Sequence, residues 1–272
     1  MRRRFVSIVC ALGLTASKAL AVSPNGTSGR GNGGFAGYKE QGSTYTESEA
    51  SWRVPAMQYD STTAPIFQGA YQWVGITDRA AAHSLIQAGV IERYDDAAGT
   101  FTLFPFYECH PQENIVPIAQ TVSVFDVVFA KVECSQNCTA NHASQTWNIT
   151  VQNITKGWTF TLKNHGCVTS LNRAFQVIEV GNTAIPNFGD MLWTGVKLNN
   201  AAPSLTSGQA LFTYGFGGTG ITLANVNPSL PNATSDGFRL CWGIGTGVLS
   251  SGFTDCSNDP AFPLAGGKAR RR

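Results

Sequence analysis

Between residues 146 and 162 the chain alternates apolar and polar residues with a period of two, and this limits the fold more than any other stretch. Trp147, Ile149 and Val151 alternate with Asn148, Thr150 and Gln152, and Trp158, Phe160 and Leu162 then alternate with Thr159 and Thr161. Successive side chains of a strand point to opposite faces, so this pattern makes a ribbon with one buried and one wet face. Thr155-Lys156-Gly157 lies between the two runs and supplies a turn, which makes the pair an antiparallel hairpin.

Shorter runs of the same kind fill the rest. Glu49 to Pro55 sets Trp52 and Val54 against polar neighbours and stops at the proline. Ala70 to Ile76 reads as a buried run, and Thr100 to Glu108 is rich in aromatics. His83 to Val90 fits a short helix or a strand equally well. Thr121 to Glu133 reads as one long strand, with Val122, Val124, Val128, Ala130 and Val132 on one parity and an interruption at Asp126. Arg173 to Val180 has apolar residues on both parities, as a central strand covered on both faces requires. Residues 192–198, 209–214, 220–226 and 238–244 add further strand candidates. No helix-period segment of convincing length occurs. Only 13% of the residues are charged, about half the usual quarter, and surface helices need more Glu, Lys and Arg than that. The expected class is all-β, an antiparallel sandwich or barrel.

The two ends differ from this body. Arg2, Arg3 and Arg4 precede an apolar stretch from Phe5 to Leu14, and Ala19-Leu20-Ala21 is a small-residue cleavage pattern. Residues 1–21 therefore read as a secretory signal peptide, too short in its apolar part to span a bilayer. Residues 22–40 read as a flexible lead or propeptide remnant, 41–264 as the sandwich domain, and 265–272 as a basic tail. Of the 19 Lys and Arg residues, four lie in the signal and four in the last five positions, so the body sets 11 basic residues against 17 acidic ones. A mildly acidic body excludes a basic nucleic-acid binder. The expectation is a secreted, extracellular monomer with no membrane attachment after signal cleavage.

Six cysteines remain after the signal: Cys109, Cys134, Cys138, Cys167, Cys241 and Cys256. An even count in an oxidising compartment reads as disulfides, with Cys134–Cys138 closing a turn and Cys241–Cys256 a late loop as candidate pairs. Paired C-x2-C spacing is missing and the histidines are scattered, so no metal site is expected. Asn25, Asn137, Asn148, Asn153 and Asn232 stand in N-x-Ser/Thr sequons and are glycan candidates, with Asn148 and Asn153 expected on the polar face or at the turn of the hairpin.

Candidate chemistry narrows to carboxylates. No Gly-x-Ser-x-Gly elbow and no phosphate loop occurs. Glu108 and Glu179 each sit inside an apolar, strand-like segment of a chain poor in carboxylates. Burial raises a carboxylic acid's pKa and fits it for general acid or base work. A structural ion pair is the plainer alternative.

An ordered series of motifs adds to this reading. Trp52-Arg53-Val54-Pro55, Trp73-Val74-Gly75-Ile76, Leu85-Ile86-Gln87-Ala88-Gly89-Val90, Phe106-Tyr107-Glu108-Cys109-His110-Pro111, Asn153-Ile154-Thr155-Lys156-Gly157, Ala174 to Glu179 and Ile185 to Gly189 follow one another over residues 50–200. In this order they resemble the glutamic peptidases, the eqolisins of peptidase family G1. The resemblance implies a concanavalin A-like lectin/glucanase-type jelly roll of two curved antiparallel sheets, polypeptide substrates, and no cofactor. It implies a catalytic pair: Glu179 as general base on water, and Gln87 as donor to the oxyanion. Trp73, Glu108, Phe106 and Phe175 are then expected around the substrate or just behind the pair. The sequence departs from the family at Thr77, where the family has Asp, and at Phe175, where it has Glu. Two other readings stay open: a weakened or inactive relative that binds carbohydrate or protein, and a glycosidase using Glu108 and Glu179.

Overall fold

In a computed structural model the protein is described over residues 34–57, 68–77, 84–95, 100–180, 188, 190–203, 210–211, 221–225 and 236–242. Among these residues every regular element is a strand. They are β1 (Gly34–Gln41), β2 (Glu47–Arg53), β3 (Gln68–Thr77), β4 (Leu85–Asp95), β5 (Thr100–His110), β6 (Glu113–Pro117) and β7 (Val127–Gln136). There follow β8 (Thr146–Asn153), β9 (Trp158–Gly166), β10 (Arg173–Val180), β11 (Asp190–Leu198), β12 (Ala210–Leu211), β13 (Ile221–Asn225) and β14 (Phe238–Trp242). They form two seven-stranded antiparallel sheets, ordered β12-β1-β10-β3-β4-β5-β6 and β13-β14-β11-β2-β7-β8-β9. This is the all-β sandwich expected from the alternation.

Period two decides what lies between the sheets. Trp147, Ile149 and Val151 of β8 are fully buried, as are Val128, Ala130 and Val132 of β7. From the first sheet, Val74, Ile76, Ile86, Ala88, Val90, Ala174 and Ile178 join the same core. Trp52 and Trp193 stack at 4.6 Å between ring centroids, and Trp193 stacks on Phe238 at 5.5 Å. A buried aromatic of this size contributes about 2–3 kcal/mol through the apolar surface it removes from water. The core also holds hydrogen-bonded polar groups: the Trp52 indole N–H donates to Gln72 Oε1 at 2.8 Å, and Gln176 Nε2 donates to Ser48 Oγ at 2.8 Å.

Four sequence expectations change here. The stretch 22–40 was drawn as a flexible lead, yet the chain enters the sheet at Gly34, with β1 paired to β10 from Gly34↔Val180 to Gln41↔Arg173. Glycines hid the strand, and one is essential to it: Gly37 has φ 144°, and a Cβ there would lie 2.1 Å from Gln176 O. Of residues 83–90, undecided between helix and strand, 85–90 form the first part of β4, and His83 lies outside the described residues. The long strand drawn from Thr121 starts only at Val127, because Asp126 is a buried anchor and not a strand residue. Its Oδ2 accepts hydrogen bonds from Ser123 N at 2.7 Å and Asn153 Nδ2 at 2.7 Å and lies 3.4 Å from Lys156 Nζ. Asn153 is consequently the fourth change. Its amide is buried and committed to Asp126, and its Oδ1 accepts from Lys156 N at 2.9 Å. It is the capping group of the hairpin turn and is closed to a glycan.

Two disulfides are present among the described residues. Cys134–Cys138 is the expected short bridge. Cys109–Cys167, which the sequence left open among many pairings, ties β5 of one sheet to the residue following β9 of the other. The Cys241–Cys256 pairing, the signal peptide and the basic tail lie outside the described residues.

The Cys109–Cys167 bridge closes a loop with a sequence separation of 58, for which restriction of the unfolded chain gives about 4 kcal/mol. Replacing both cysteines by serine is expected to lower the unfolding free energy in urea by about 3–4 kcal/mol; a loss below about 1 kcal/mol would show that the bridge does not constrain the unfolded chain. In material from a secreting host, mass spectrometry should find Asn153 unmodified.

Candidate active site

The first sheet has a second face, and the register across β10, β3, β4 and β5 says what stands on it. Phe175 pairs with Gly75, Gly75 with Gln87, and Gln87 with Glu108. In the next row Val177, Trp73, Gly89 and Phe106 are aligned, and in the third Glu179, Tyr71, Ile91 and Phe104. Alternation places all twelve on one face, away from the inter-sheet core. Their apolar members form a separate cluster of Trp73, Ile91, Phe106, Phe175 and Val177, with Tyr71, Leu85, Phe104 and Ile115 packed against it. The strands of this sheet are thus apolar on both faces, which explains why β10 read as doubly covered.

Trp73 links the groups on this face. Its indole N–H donates to Glu179 Oε2 at 2.9 Å. The other side of the indole reaches Gly75: a Cβ on that glycine would lie 2.9 Å from Trp73 Cζ3 and 3.1 Å from Gln87 Cβ. The ring therefore extends from Glu179 to the glycine beside Gln87, and only a residue without a side chain fits under it. Phe175 packs against the indole at 5.7 Å, and Phe106 meets Tyr71 edge-on at 6.2 Å.

Gln87 is buried, and its Nε2 donates a short hydrogen bond to Glu108 Oε2 across the β4–β5 pair. Gln87 Oε1 has no hydrogen-bond partner among the described residues. The other oxygen of Glu108 lies 3.9 Å from His110 Nδ1, two residues along the same face. Gln87 and Glu179 share the face but not a hydrogen bond: they lie two strands and four register positions apart, with Trp73 between. So all six residues anticipated from the sequence stand on one face. His110 and Tyr71 were not anticipated. Period two from Glu108 and from Trp73 marks both of them.

Both carboxyls are shifted. Burial lifts Glu179 to about 7; the Trp73 N–H, which stabilises the anion, opposes this, and the charge of Glu108 adds to it. Burial also raises Glu108 above the ordinary range, opposed by the Gln87 hydrogen bond and by His110. The Tyr71 hydroxyl is raised by burial and by the nearby Glu179 carboxylate. A pair of coupled acids with raised pKa values, beside an amide and among aromatic rings, can exchange protons with a bound substrate and donate hydrogen bonds to it.

These shifts also set how stability varies with pH. The folded chain takes up a proton on Glu179 at a higher pH than the unfolded chain does. The cost of burying the anion, up to about 3 kcal/mol for a shift of this size, is therefore relieved as the pH falls from about 7 toward 4.5. Asp126 acts oppositely. Burial alone would lift it, but Asn153, Ser123 and Lys156 outweigh burial and hold it below the usual carboxylate range, so its contribution is lost only at lower pH. Unfolding free energies are expected to rise between pH 7 and about pH 5, and Glu179→Gln should flatten that rise. A fall over this interval in the unmutated protein would contradict the burial argument.

Comparison with known proteins agrees with this architecture. The family model described as the Peptidase A4 family matches residues 33–229. Among solved structures, the chain is similar to scytalido-glutamic peptidase with a transition state analog inhibitor, at a TM-score of 0.54 and 16% identity over 77% of this chain and 98% of that one. It is also similar to SCP-B, a member of the eqolisin family of peptidases in complex with the tripeptide Ala-Ile-His. There the TM-score is 0.50 and the identity 16%, over 77% of this chain and 98% of that one. At such identities the likeness bears on the fold. No curated protein matches the sequence. The match to the family model spans most of the chain, and the chain belongs to the Peptidase A4 family, the glutamic peptidases or eqolisins.

Proposed function

We propose that the protein is a secreted endopeptidase working on the acid side of neutrality, with Glu179 and Gln87 as its reacting pair. The observation that carries this reading is the placement of a partly buried Glu179 carboxyl, held by the Trp73 indole, on the same sheet face as the buried Gln87 amide. Glu179, when ionised, takes a proton from water as the water attacks the peptide carbonyl, and then passes it to the leaving amine. Gln87 carries two N–H groups. One is held by Glu108, which fixes the amide plane; the other can donate to the oxygen of the tetrahedral intermediate. The aromatic and aliphatic groups around the pair favour an extended peptide with apolar side chains.

Burial makes the Glu179 carboxylate a stronger base than an ordinary glutamate. Below about pH 7, however, the ionised form becomes roughly tenfold scarcer with each pH unit. With Glu179 as the base of the free enzyme, the acid limb of kcat/KM lies closer to neutrality than the pH 2–4 range usual for unperturbed carboxylates. Glu108→Gln should move that limb downward, because the Glu108 charge helps to raise Glu179.

The test is cleavage of a denatured protein across about pH 2–8, a range chosen to span both carboxyl titrations. Glu179→Gln is expected to abolish cleavage, and Gln87→Ala to lower kcat by about two to three orders of magnitude, as loss of one oxyanion donor does. An optimum at about pH 2–4 would show that burial does not hold Glu179 near 7 in the working enzyme, whose acid limb would then be that of an ordinary carboxylate base. The second reading, a weakened or inactive relative, rests on Phe175, which packs on Trp73 where the family has a carboxylate. No cleavage by the unmutated protein would favour it. Hydrolysis of a polysaccharide that survives Gln87→Ala would favour a glycosidase instead.

A further inference from the structure

The groups aligned on the site face end at a residue to which neither the motif series nor the proposed reaction gives a role. His110 is the last residue of β5 and faces the same way as Glu108, with its side chain 44% exposed while that of Glu108 is 13% exposed. Its Nδ1 lies 3.9 Å from Glu108 Oε1, and the partner oxygen, Oε2, takes the Gln87 amide. Glu108 thus stands between a solvent-facing imidazole and the buried amide.

We propose that His110 is a positioning residue: as a cation it keeps Glu108 ionised, and ionised Glu108 holds the Gln87 amide in the orientation that presents its second N–H to substrate. The role rests on the peptidase reading above. Its logic follows from hydrogen-bond chemistry. A carboxylate only accepts, so it binds the Nε2 side of the amide; a carboxylic acid can donate, and then binds the Oε1 side equally well. Protonating Glu108 therefore frees the Gln87 amide to turn over and withdraw its donor. Gln87 Oε1, which has no hydrogen-bond partner among the described residues, is the atom such a flip would satisfy. Histidine gains its charge in the mildly acid range where a buried glutamate begins to take up a proton.

Other charges near Glu108 do not supply this effect. Glu179, across β3 and β4, carries a negative charge only while ionised and then opposes ionisation of Glu108, as the tyrosine Tyr71 would if it lost its proton. Arg93 of β4 acts on Tyr71. Glu113 of β6 is engaged with His165 at 3.0 Å.

The experiment measures Glu108 directly and then activity. In protein labelled with 13C at glutamate carboxyls, with Glu108→Gln identifying the signal, the midpoint of Glu108 is expected to rise in His110→Gln. The rise should be about one pH unit, after allowing for solvent screening of a half-exposed charge. His110→Lys, which restores a cation, should return it. The ratio of kcat/KM at about pH 5 to that at pH 7 should fall several-fold in His110→Gln and recover in His110→Lys. In a Glu108→Gln background, His110→Gln should have no further effect. An unmoved Glu108 midpoint, or an unmoved activity ratio in an enzyme that cleaves protein, overturns the role of His110 alone. Absence of cleavage by the unmutated protein overturns the peptidase reading and this role with it, while the Glu108 midpoint still reports whether the charge coupling exists.

Discussion

Register across four neighbouring strands holds every group on the site face. Phe175, Gly75, Gln87 and Glu108 are aligned only because β10, β3, β4 and β5 pair as they do, and a slip of one residue would send each side chain to the opposite face. Two apolar sets oppose such a slip. One alternate set, including Val74, Ile76, Ala88 and Val90, fills the space between the sheets; the other, including Trp73, Ile91, Phe106 and Val177, packs on the far face. Exchanging the two would put Glu179, Gln87 and Glu108 into the core and leave three ionisable or amide groups without water. The glycines reinforce the alignment. Gly89 has Gln72 O where its Cβ would be, 1.9 Å away, so β3 and β4 approach more closely there than any side chain allows.

The site is consequently built with little spare freedom. Trp73 joins Glu179 by a hydrogen bond and Phe175 by ring contact, and it needs Gly75 to lie flat. Glu108 fixes Gln87, and the disulfide at the next residue, Cys109, ties that strand to the second sheet. A buried amide and a buried carboxyl are costly unless paired. Here the pairing comes from neighbours on adjacent strands, which the register delivers without any loop having to fold over.

Much of this was readable in the sequence, for a physical reason: period two survives wherever one face is dry. Trp147, Ile149 and Val151 announced their hairpin, and the ordered motifs marked the strands of Gln87, Glu108 and Glu179. The failures share a cause, which is a polar or glycine residue doing a structural task. Asp126 looked like a break inside a strand and is the anchor at its start. Asn153 looked like a surface sequon and is the buried cap of a turn. Gly34 and Gly37 looked like flexible lead, though Gly37 lets β1 lie against β10. Sequence pattern reports which faces are apolar; it does not report which polar side chains satisfy buried partners, nor that Cys109 meets Cys167 from the opposite sheet. His110 escaped notice because a single histidine at a strand end acquires meaning only through the carboxyl beside it.

Sparse charge leaves pH dependence to a few groups, and the two sheets arrange them in opposite ways. On the first sheet Glu179 and Glu108 are buried and coupled to each other, so acid relieves them. On the second, Lys131 lies 3.1 Å from Glu47 and 3.6 Å from both Glu49 and Glu133, and Lys197 lies 2.7 Å from Glu49. Burial alone would weaken the Lys131 cation, but these carboxylates outweigh it and hold the ammonium charged. Acid removes those carboxylate partners while the ammonium groups stay charged, so this network and Asp126 lose what the site face gains. The response of the whole chain to acid is the difference between them. It favours the fold while Glu179 is taking up its proton and turns against it once Asp126, held below the ordinary range, loses its charge. That order leaves an interval, on the acid side of neutrality, in which Glu179 is protonating while Asp126 keeps its charge and its contact with Lys156.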